Sequence, residues 1–178
     1  MRRTIDEAFL ALRAAINAWA SGDARPDARV FVYPPEWEAT VLARFPRFAR
    51  ELAAAGCPVE LVDVGACFLQ EIERRKGMPE LLAGVERRGH RELLHDLGEL
   101  ARWALARQLR APLVPPRICR LLINTGSLAT FVSYSAILND LYNETPAPCV
   151  LAFPGEGDER SLNLLGLRED TNYRVPRI

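Results

Sequence analysis

Cys149–Gly155, with the sequence CVLAFPG, is the stretch that decides the fold class of this chain. Its first five residues are all apolar, without the alternation of a half-exposed strand, and such runs are typical of parallel strands buried on both faces. Pro154 and Gly155 are turn residues, which predict the end of the strand. Leu121–Ile123 is a second apolar run of the same kind. We therefore expect a sheet that is covered on both sides.

Two more strand patterns lie toward the N-terminus, at 29–33 and 58–64, and helical patterns separate all four. Strands that alternate with helices over connections long enough for crossovers predict a mostly parallel sheet. The predicted fold class is α/β, as a single three-layer domain over residues 1–178 with helices on both faces of the sheet. An amphipathic helix over 1–21, begun by a capping-box pattern at Thr4 and Glu7, is expected to pack on this domain.

Several further elements follow from local patterns. Pro46 lies in the helix after the first strand and is expected to bend or break it, because proline removes a hydrogen bond and clashes with the preceding turn. Short helices are predicted at 67–77 and 78–89, with a long one from His90 to Arg110. A further helix is predicted at 128–143, and one or two short final strands within 161–167 and 172–178.

The balance of charges indicates which class of partner the chain can bind. The chain carries 23 basic and 23 acidic side chains, a formal net charge of zero. A protein that grips DNA on its own usually has a basic footprint, so no direct nucleic-acid binding is expected. RRKG at 74–77 and ERRGHR at 86–91 could form a local basic patch together, although solvated helix ends explain these charges more simply.

The cysteines and the N-terminus bear on location. Four cysteines share no C-x-x-C spacing and lie beside apolar residues, which is typical of reduced, mostly buried thiols in a cytoplasmic protein. Asp6, Glu7 and Arg13 interrupt the apolar run that a signal peptide needs. No uncharged apolar stretch approaches the roughly 20 residues that cross a bilayer. The expected location is the cytoplasm, without membrane attachment.

In an open parallel sheet, ligands bind beyond the carboxyl ends of the strands. A nucleotide or another phosphorylated ligand held there would use the candidate ligand-binding residues Asn124, Thr125, Ser127, Gly155, Glu156 and Asp158. Other roles stay open for these residues. The segment 155–157 can be only a turn. Thr125 or Ser127 can cap the helix that follows. Glu156 and Asp158 can be a pair of acid–base carboxylates or a solvated charge cluster.

Catalytic motifs are incomplete in this sequence. The first strand ends in Tyr-Pro-Pro-Glu-Trp, without the glycines and lysine of a phosphate loop. His90 and His95 are about 140° apart around a helix, so they do not form a pair of zinc ligands. Ser127 does not lie in a G-x-S-x-G elbow. No catalytic residue, metal ligand or cofactor is predicted.

Three segments carry a family resemblance: RVFVYPPEWE at 29–38, FPGEGDERSLNLLG at 153–166 and DTNYR at 170–174. Together they resemble the BrxB family, small proteins encoded in BREX phage-resistance systems. The likeness runs from Arg29 to Arg174, and its most specific part is the C-terminal pair of segments. The resemblance implies a cytoplasmic, non-enzymatic accessory protein, whose sheet is similar to a nucleotide-binding fold of the P-loop type without its phosphate loop.

The resemblance also implies partners. The direct one is the PglZ-like protein of the same system, which has an alkaline-phosphatase-like domain. Other BREX components are implied as further contacts. Aromatic and arginine side chains are enriched at binding hot spots. The candidate partner-binding residues are therefore Tyr33, Trp37, Arg160, Tyr173 and Arg174.

Overall fold

Four strands form the central sheet in the computed structural model of the protein: β1 (Ala28–Tyr33), β2 (Val59–Asp63), β3 (Cys119–Ile123) and β4 (Cys149–Pro154). Their spatial order is β1–β4–β3–β2, and every neighbouring pair is parallel. The predicted α/β class with a parallel sheet is confirmed. The structure describes residues 3–25, 27–75, 83, 90–128, 132, 147–157, 161–164, 168–171 and 176–178.

Helices cover both faces of this sheet. α1 (Ile5–Ser21) and α2 (Glu38–Ala54) share one hydrophobic core with the sheet. α3 (Val64–Arg75) and α4 (His90–Arg110) share the other. The three-layer arrangement is thus confirmed, as is the long helix that the sequence predicts from His90 to Arg110.

The two cores are separate because successive side chains of a strand point to opposite faces. Phe31 and Val150 belong to the core with α1 and α2, whereas Val30 and Leu151 belong to the core with α3 and α4. Every residue of β3 and β4 is buried. Their apolar runs, Leu121–Ile123 and Val150–Phe153, therefore reflect cover on both sides, and the charged Arg120 of β3 is buried with them.

The end of the chain extends the sheet beside β1. The Val30 N–H donates to the Pro176 carbonyl at 2.9 Å, and the Ile178 N–H donates to the Val30 carbonyl at 3.0 Å. These bonds accompany a parallel bridge between Val30 and Arg177. β1 therefore lies between β4 and the last residues of the chain.

α1 is fixed by its cap and by an aromatic cluster. The Thr4 hydroxyl accepts from the Glu7 N–H while the Glu7 carboxylate accepts from the Thr4 N–H, so the predicted capping box is confirmed. The Phe9 ring lies 5.5 Å from Phe31 and 5.1 Å from Phe48, in edge-on contacts between ring centroids. Such pairs add stability beyond the area they bury.

α2 continues through Pro46, so the predicted break at this residue is wrong. A proline inside a helix costs about 3 kcal/mol. The Pro46 side chain is exposed, while Phe45 and Phe48 beside it are buried against the sheet. Burying each large apolar side chain is worth about 1.5–3 kcal/mol, and this tertiary packing outweighs the local cost.

A second, antiparallel sheet follows β4. Its strands are β5 (Glu156–Gly157), β6 (Ser161–Leu164) and β7 (Arg168–Thr171), in that order. β6 confirms the strand predicted from SLNL. β5 and β7 were missed, because β5 has only two residues and β7 has the charged sequence REDT, which lacks the β-branched and aromatic residues that signal a strand.

The helix predicted at 67–77 begins three residues earlier, at Val64, and ends at Arg75 within the described residues. Most of the helices predicted at 78–89 and 128–143 lies outside the described residues, as does most of the final strand predicted at 172–178.

Candidate functional site

The carboxyl ends of the four parallel strands meet at one edge of the sheet. β1 ends at Tyr33, β2 at Asp63, β3 at Ile123 just before Asn124, and β4 at Pro154. This is the edge where ligands bind in open parallel sheets. The polar groups at this edge therefore decide whether the predicted ligand site has free donors and acceptors.

Asp63 and Asn124, 61 positions apart in sequence, are hydrogen-bonded to each other. The Asp63 Oδ1 accepts from the Asn124 Nδ2 at 2.9 Å and from the Ala66 N–H at 2.9 Å, which caps the first turn of α3. The Asn124 backbone has a left-handed φ of 59°, which asparagine tolerates better than most residues. These contacts tie the end of β2 to the end of β3.

Ser127 lies in the same group. Its hydroxyl donates a hydrogen bond to the Asn124 carbonyl at 2.7 Å. A carbonyl oxygen cannot act as a general base, so this bond does not activate the Ser127 hydroxyl. A Cβ on Gly65 would lie 2.6 Å from the Ser127 Oγ and 2.7 Å from the Asn124 Nδ2. The group is therefore closely packed on its α3 side, and we call Asp63, Gly65, Asn124 and Ser127 the Asn124 cluster.

Thr125 and Gly155 join neighbouring strand ends. Thr125 is fully buried, and its hydroxyl donates to the Ala152 carbonyl of β4 at 2.5 Å. The Gly155 N–H donates to the Tyr33 carbonyl at 2.8 Å, which continues the pairing of β1 with β4. The hydroxyl of Thr125 and the N–H of Gly155 are thus engaged within the fold.

Tyr33 lies in the core, with 1% of its surface exposed, rather than at the surface where a partner would meet it. Its phenol donates to the Glu38 Oε2 at 2.5 Å. A Cβ on Gly126 would lie 3.6 Å from the other Glu38 oxygen, so this carboxylate approaches the strand-end edge. Glu38 was not predicted as a site residue, because its only local signal is its place in the first turn of α2.

The other predicted site residues do not lie together. One is at the surface, one packs against the core, and four lie outside the described residues. Glu156 is exposed at the start of β5. Trp37 is half-buried and packs against the core with α1 and α2. Asp158, Arg160, Tyr173 and Arg174 lie outside the described residues.

Metal-ligating side chains and cysteine thiols are two further kinds of group that could carry chemistry. Among the described residues, no three His, Cys, Asp or Glu side chains come together as a metal site needs. Burial raises the pKa of the Cys119 and Cys149 thiols to about 12. At neutral pH these thiols are protonated and therefore weak nucleophiles.

A cavity of about 590 Å³ is lined by residues of α1 and α2. Its charges are paired. Arg44 meets Asp6 at 2.5 Å, and Glu51 meets both Arg47 at 2.8 Å and Arg13 at 2.7 Å. The lining residues are Asp6, Thr40, Ala43, Arg44, Arg47, Phe48 and Glu51.

A cluster of basic and aromatic side chains lies where α3 packs on α4. The Trp103 ring is 40% exposed, and three guanidinium carbons lie within 6 Å of its centroid, at 3.8 Å for Arg75, 5.3 Å for Arg107 and 5.6 Å for Arg74. We call Glu71, Arg74, Arg75, Trp103 and Arg107 the Trp103 cluster. Cation–π contacts of this kind hold guanidinium groups against an aromatic face.

Glu71 is the acidic member of this cluster and is 1% exposed. Its carboxylate accepts from Arg74 at 2.9 and 3.2 Å and from Arg75, and it meets Arg107 of α4 at 3.4 Å. The hydrogen bond from Arg74 is the main cause that lowers the Glu71 pKa, with Arg75 adding to it and burial opposing it. The i,i+3 and i,i+4 spacing of Glu71, Arg74 and Arg75 was a local signal for three of the five members of the cluster. The packing of α4 against α3, which adds Trp103 and Arg107 to the cluster, had no such local signal.

No protein-family model matches this sequence, and no curated protein or solved structure matches it. In the described part of the chain, no helix is long and apolar enough to span a membrane.

Proposed function

We propose that this protein is a non-enzymatic adaptor of a BREX-type anti-phage defence system. In this role it binds the PglZ-like protein, a member of the alkaline phosphatase superfamily, in the cytoplasm. The defence assignment is supported by the resemblance of three segments, at 29–38, 153–166 and 170–174, to the BrxB family.

The observation that carries the non-enzymatic half of the proposal is the Asn124 cluster. Asp63, Asn124 and Ser127 hydrogen-bond to one another and to backbone groups at the edge where a parallel sheet would bind its ligand. A nucleophile needs a base within hydrogen-bond reach, and the Ser127 hydroxyl instead donates to a carbonyl. These groups therefore support a structural role.

The interaction half of the proposal is supported by the surface of α3 and α4. Trp103, Arg75 and Arg107 are partly exposed and lie in one cluster. Tryptophan and arginine are the types that contribute most to protein–protein affinity. Tyr33 is withdrawn from the set of candidate contacts because it is buried, whereas Trp37 keeps a half-exposed side chain.

The test is size-exclusion chromatography with light scattering on the protein mixed with a PglZ-like protein encoded beside it. The proposal expects one peak with the summed mass of the two proteins. Two separate peaks from two folded proteins would overturn it. The matched variant is Asn124→Ala, which alters the strand-end edge and should leave the complex unchanged if the binding surface lies elsewhere.

The convergence of four strand ends favours a second candidate, a nucleotide or phosphate ligand bound at the carboxyl ends of the sheet strands. It expects thermal stabilisation, by about 2.7 kcal/mol at a ligand concentration of 100 times the dissociation constant. The probes are ATP, GTP and inorganic phosphate, each with and without magnesium. An unchanged melting temperature with all of them, in the protein and in Asn124→Ala alike, leaves the adaptor proposal as the better account.

A further inference from the structure

The Trp103 cluster concentrates positive charge in a chain whose total formal charge is zero. Arg74, Arg75 and Arg107 all meet the single carboxylate of Glu71. Three positive charges and one negative charge leave the cluster with a net charge of +2. The neighbouring Arg102, by contrast, is paired with Glu99 at 3.1 Å.

The guanidinium groups keep hydrogen-bonding capacity that Glu71 does not use. Each guanidinium carries five N–H donors, whereas one carboxylate offers two acceptor oxygens. The side chains are 56% exposed for Arg74, 38% for Arg75 and 49% for Arg107. The unused donors therefore face solvent, where carboxylates of another molecule can reach them.

The cluster is also held in place before any partner arrives. The buried Glu71 carboxylate binds the guanidinium groups, and the Trp103 ring packs against them. A preorganised surface loses less conformational entropy on binding than free arginine side chains do. Arginine geometry also matches a carboxylate with two parallel hydrogen bonds.

We propose that the Trp103 cluster is the docking surface for an acidic segment of a protein partner, which places Asp or Glu carboxylates against Arg75 and Arg107. The inference rests on the proposed adaptor function and describes its partner by chemistry. The exposed part of Trp103 supplies the apolar contact that a charged pair by itself lacks.

The covered Trp103 ring and the zero net charge of the chain favour an acidic protein segment over a nucleic acid as the partner. Single-stranded nucleic acids bind by stacking bases on open aromatic rings along a basic groove. Here the guanidinium of Arg75 lies over the Trp103 ring at 3.8 Å and covers that face. The chain has equal numbers of acidic and basic residues, so it lacks the net positive charge that is usual for a protein that binds nucleic acid on its own.

The direct test measures the fluorescence anisotropy of a labelled peptide of alternating Glu and Gly at ~0.15 M salt, where charges more than about 8 Å apart are screened. A peptide with Gln in place of Glu is the control, and a thymidine oligonucleotide of the same length is the competing probe. The proposal expects saturable binding of the Glu peptide alone. Equal binding of the Glu and Gln peptides, no binding of either, or tighter binding of the oligonucleotide would overturn it.

The variants locate the binding surface. Arg107→Glu should raise the dissociation constant of the Glu peptide by about tenfold or more, as loss of a hot-spot residue does. Arg107 has the longest contact with Glu71, at 3.4 Å, whereas Arg74 and Arg75 hydrogen-bond to the same carboxylate. Arg102→Glu changes the charge equally on the same helix and should bind the peptide as the unchanged protein does. Equal weakening by Arg107→Glu and Arg102→Glu contradicts the proposal. Arg107→Gln repeats the test if the melting temperature of Arg107→Glu is lower.

The same variants separate this inference from the proposed function. If the PglZ-like protein binds Arg107→Glu and the unchanged protein equally, the adaptor function stands and the docking surface is elsewhere. If the Glu peptide binds at the cluster while the PglZ-like protein does not associate, the docking surface stands and the partner has been misidentified.

Discussion

The guanidinium carbon of Arg75, on α3, lies 3.8 Å from the centroid of the Trp103 ring, on α4. The same guanidinium donates to the carboxylate of Glu71, which is nearly inaccessible to solvent. One arginine thus joins a buried charge to an aromatic surface across the contact between two helices. This contact fixes the geometry of the face that we propose as a docking surface.

Glu71→Gln should lower the free energy of unfolding at neutral pH and have less effect in acid. The Glu71 pKa is lowered in the folded protein, chiefly by Arg74. The carboxylate therefore contributes its stability above its ordinary value of 4.5, and the contribution is lost as the pH falls below that value through the lowered pKa. Denaturant unfolding of both proteins across this pH range measures the difference.

Glu73→Gln is the matched control for this prediction, because Glu73 is exposed on the same helix. It should leave the free energy of unfolding nearly unchanged at every pH. A Glu71→Gln effect that stays constant from neutral pH into acid contradicts the assigned role of the ionised carboxylate.

Gly65→Ala should destabilise the protein by about 1–3 kcal/mol, the usual cost of overpacking. The new methyl group would lie 2.6 Å from the Ser127 Oγ and 2.7 Å from the Asn124 Nδ2. Chemical denaturation measures the loss. Adding Ser127→Ala should recover part of it by removing the nearer oxygen, so an unchanged or lower stability of the double variant speaks against this contact.

Tyr33→Phe should cost roughly 1–3 kcal/mol of stability, because it removes a hydrogen bond to a charged group. The phenol is buried and donates to Glu38 at 2.5 Å. Glu38→Gln keeps an acceptor oxygen and should cost less. Thermal and chemical unfolding give the comparison. Binding of the PglZ-like protein should be unaffected by Tyr33→Phe, and a large loss of affinity in a folded variant would show that Tyr33 matters beyond the core.

Cys119 and Cys149 should resist alkylation in the folded protein near pH 8. Burial raises the pKa of both thiols to about 12, so little thiolate is present, and both side chains are covered. Iodoacetamide labelling followed by mass spectrometry measures each site. Cys57 and Cys67 are half-buried and should be labelled sooner. All four should react in guanidinium chloride, and rapid labelling of Cys149 without denaturant would contradict the burial.

Local sequence determined the parts of the fold that depend on hydrophobic periodicity and capping. The apolar runs of β3 and β4 predicted a parallel sheet buried on both faces, and Thr4 with Glu7 predicted the start of α1. These patterns act over a few residues, since burial of one face or a cap requires only neighbouring side chains. The strand ends were also identified, and with them the edge at which Asp63 and Asn124 lie.

Tertiary structure alone decided what those residues contact. Asp63 meets Asn124 because β2 is placed beside β3, and a strand order that joins positions 61 apart leaves no trace in local periodicity. Packing against the sheet likewise keeps α2 continuous through Pro46 and buries Tyr33. Arg107 reaches Glu71, and Trp103 reaches Arg75, only because α4 packs along α3. Short-range propensities determine which segments form helices and strands. The free energy of burying their apolar faces determines which of these helices and strands pack together. The surfaces that stay open to a partner follow from that packing.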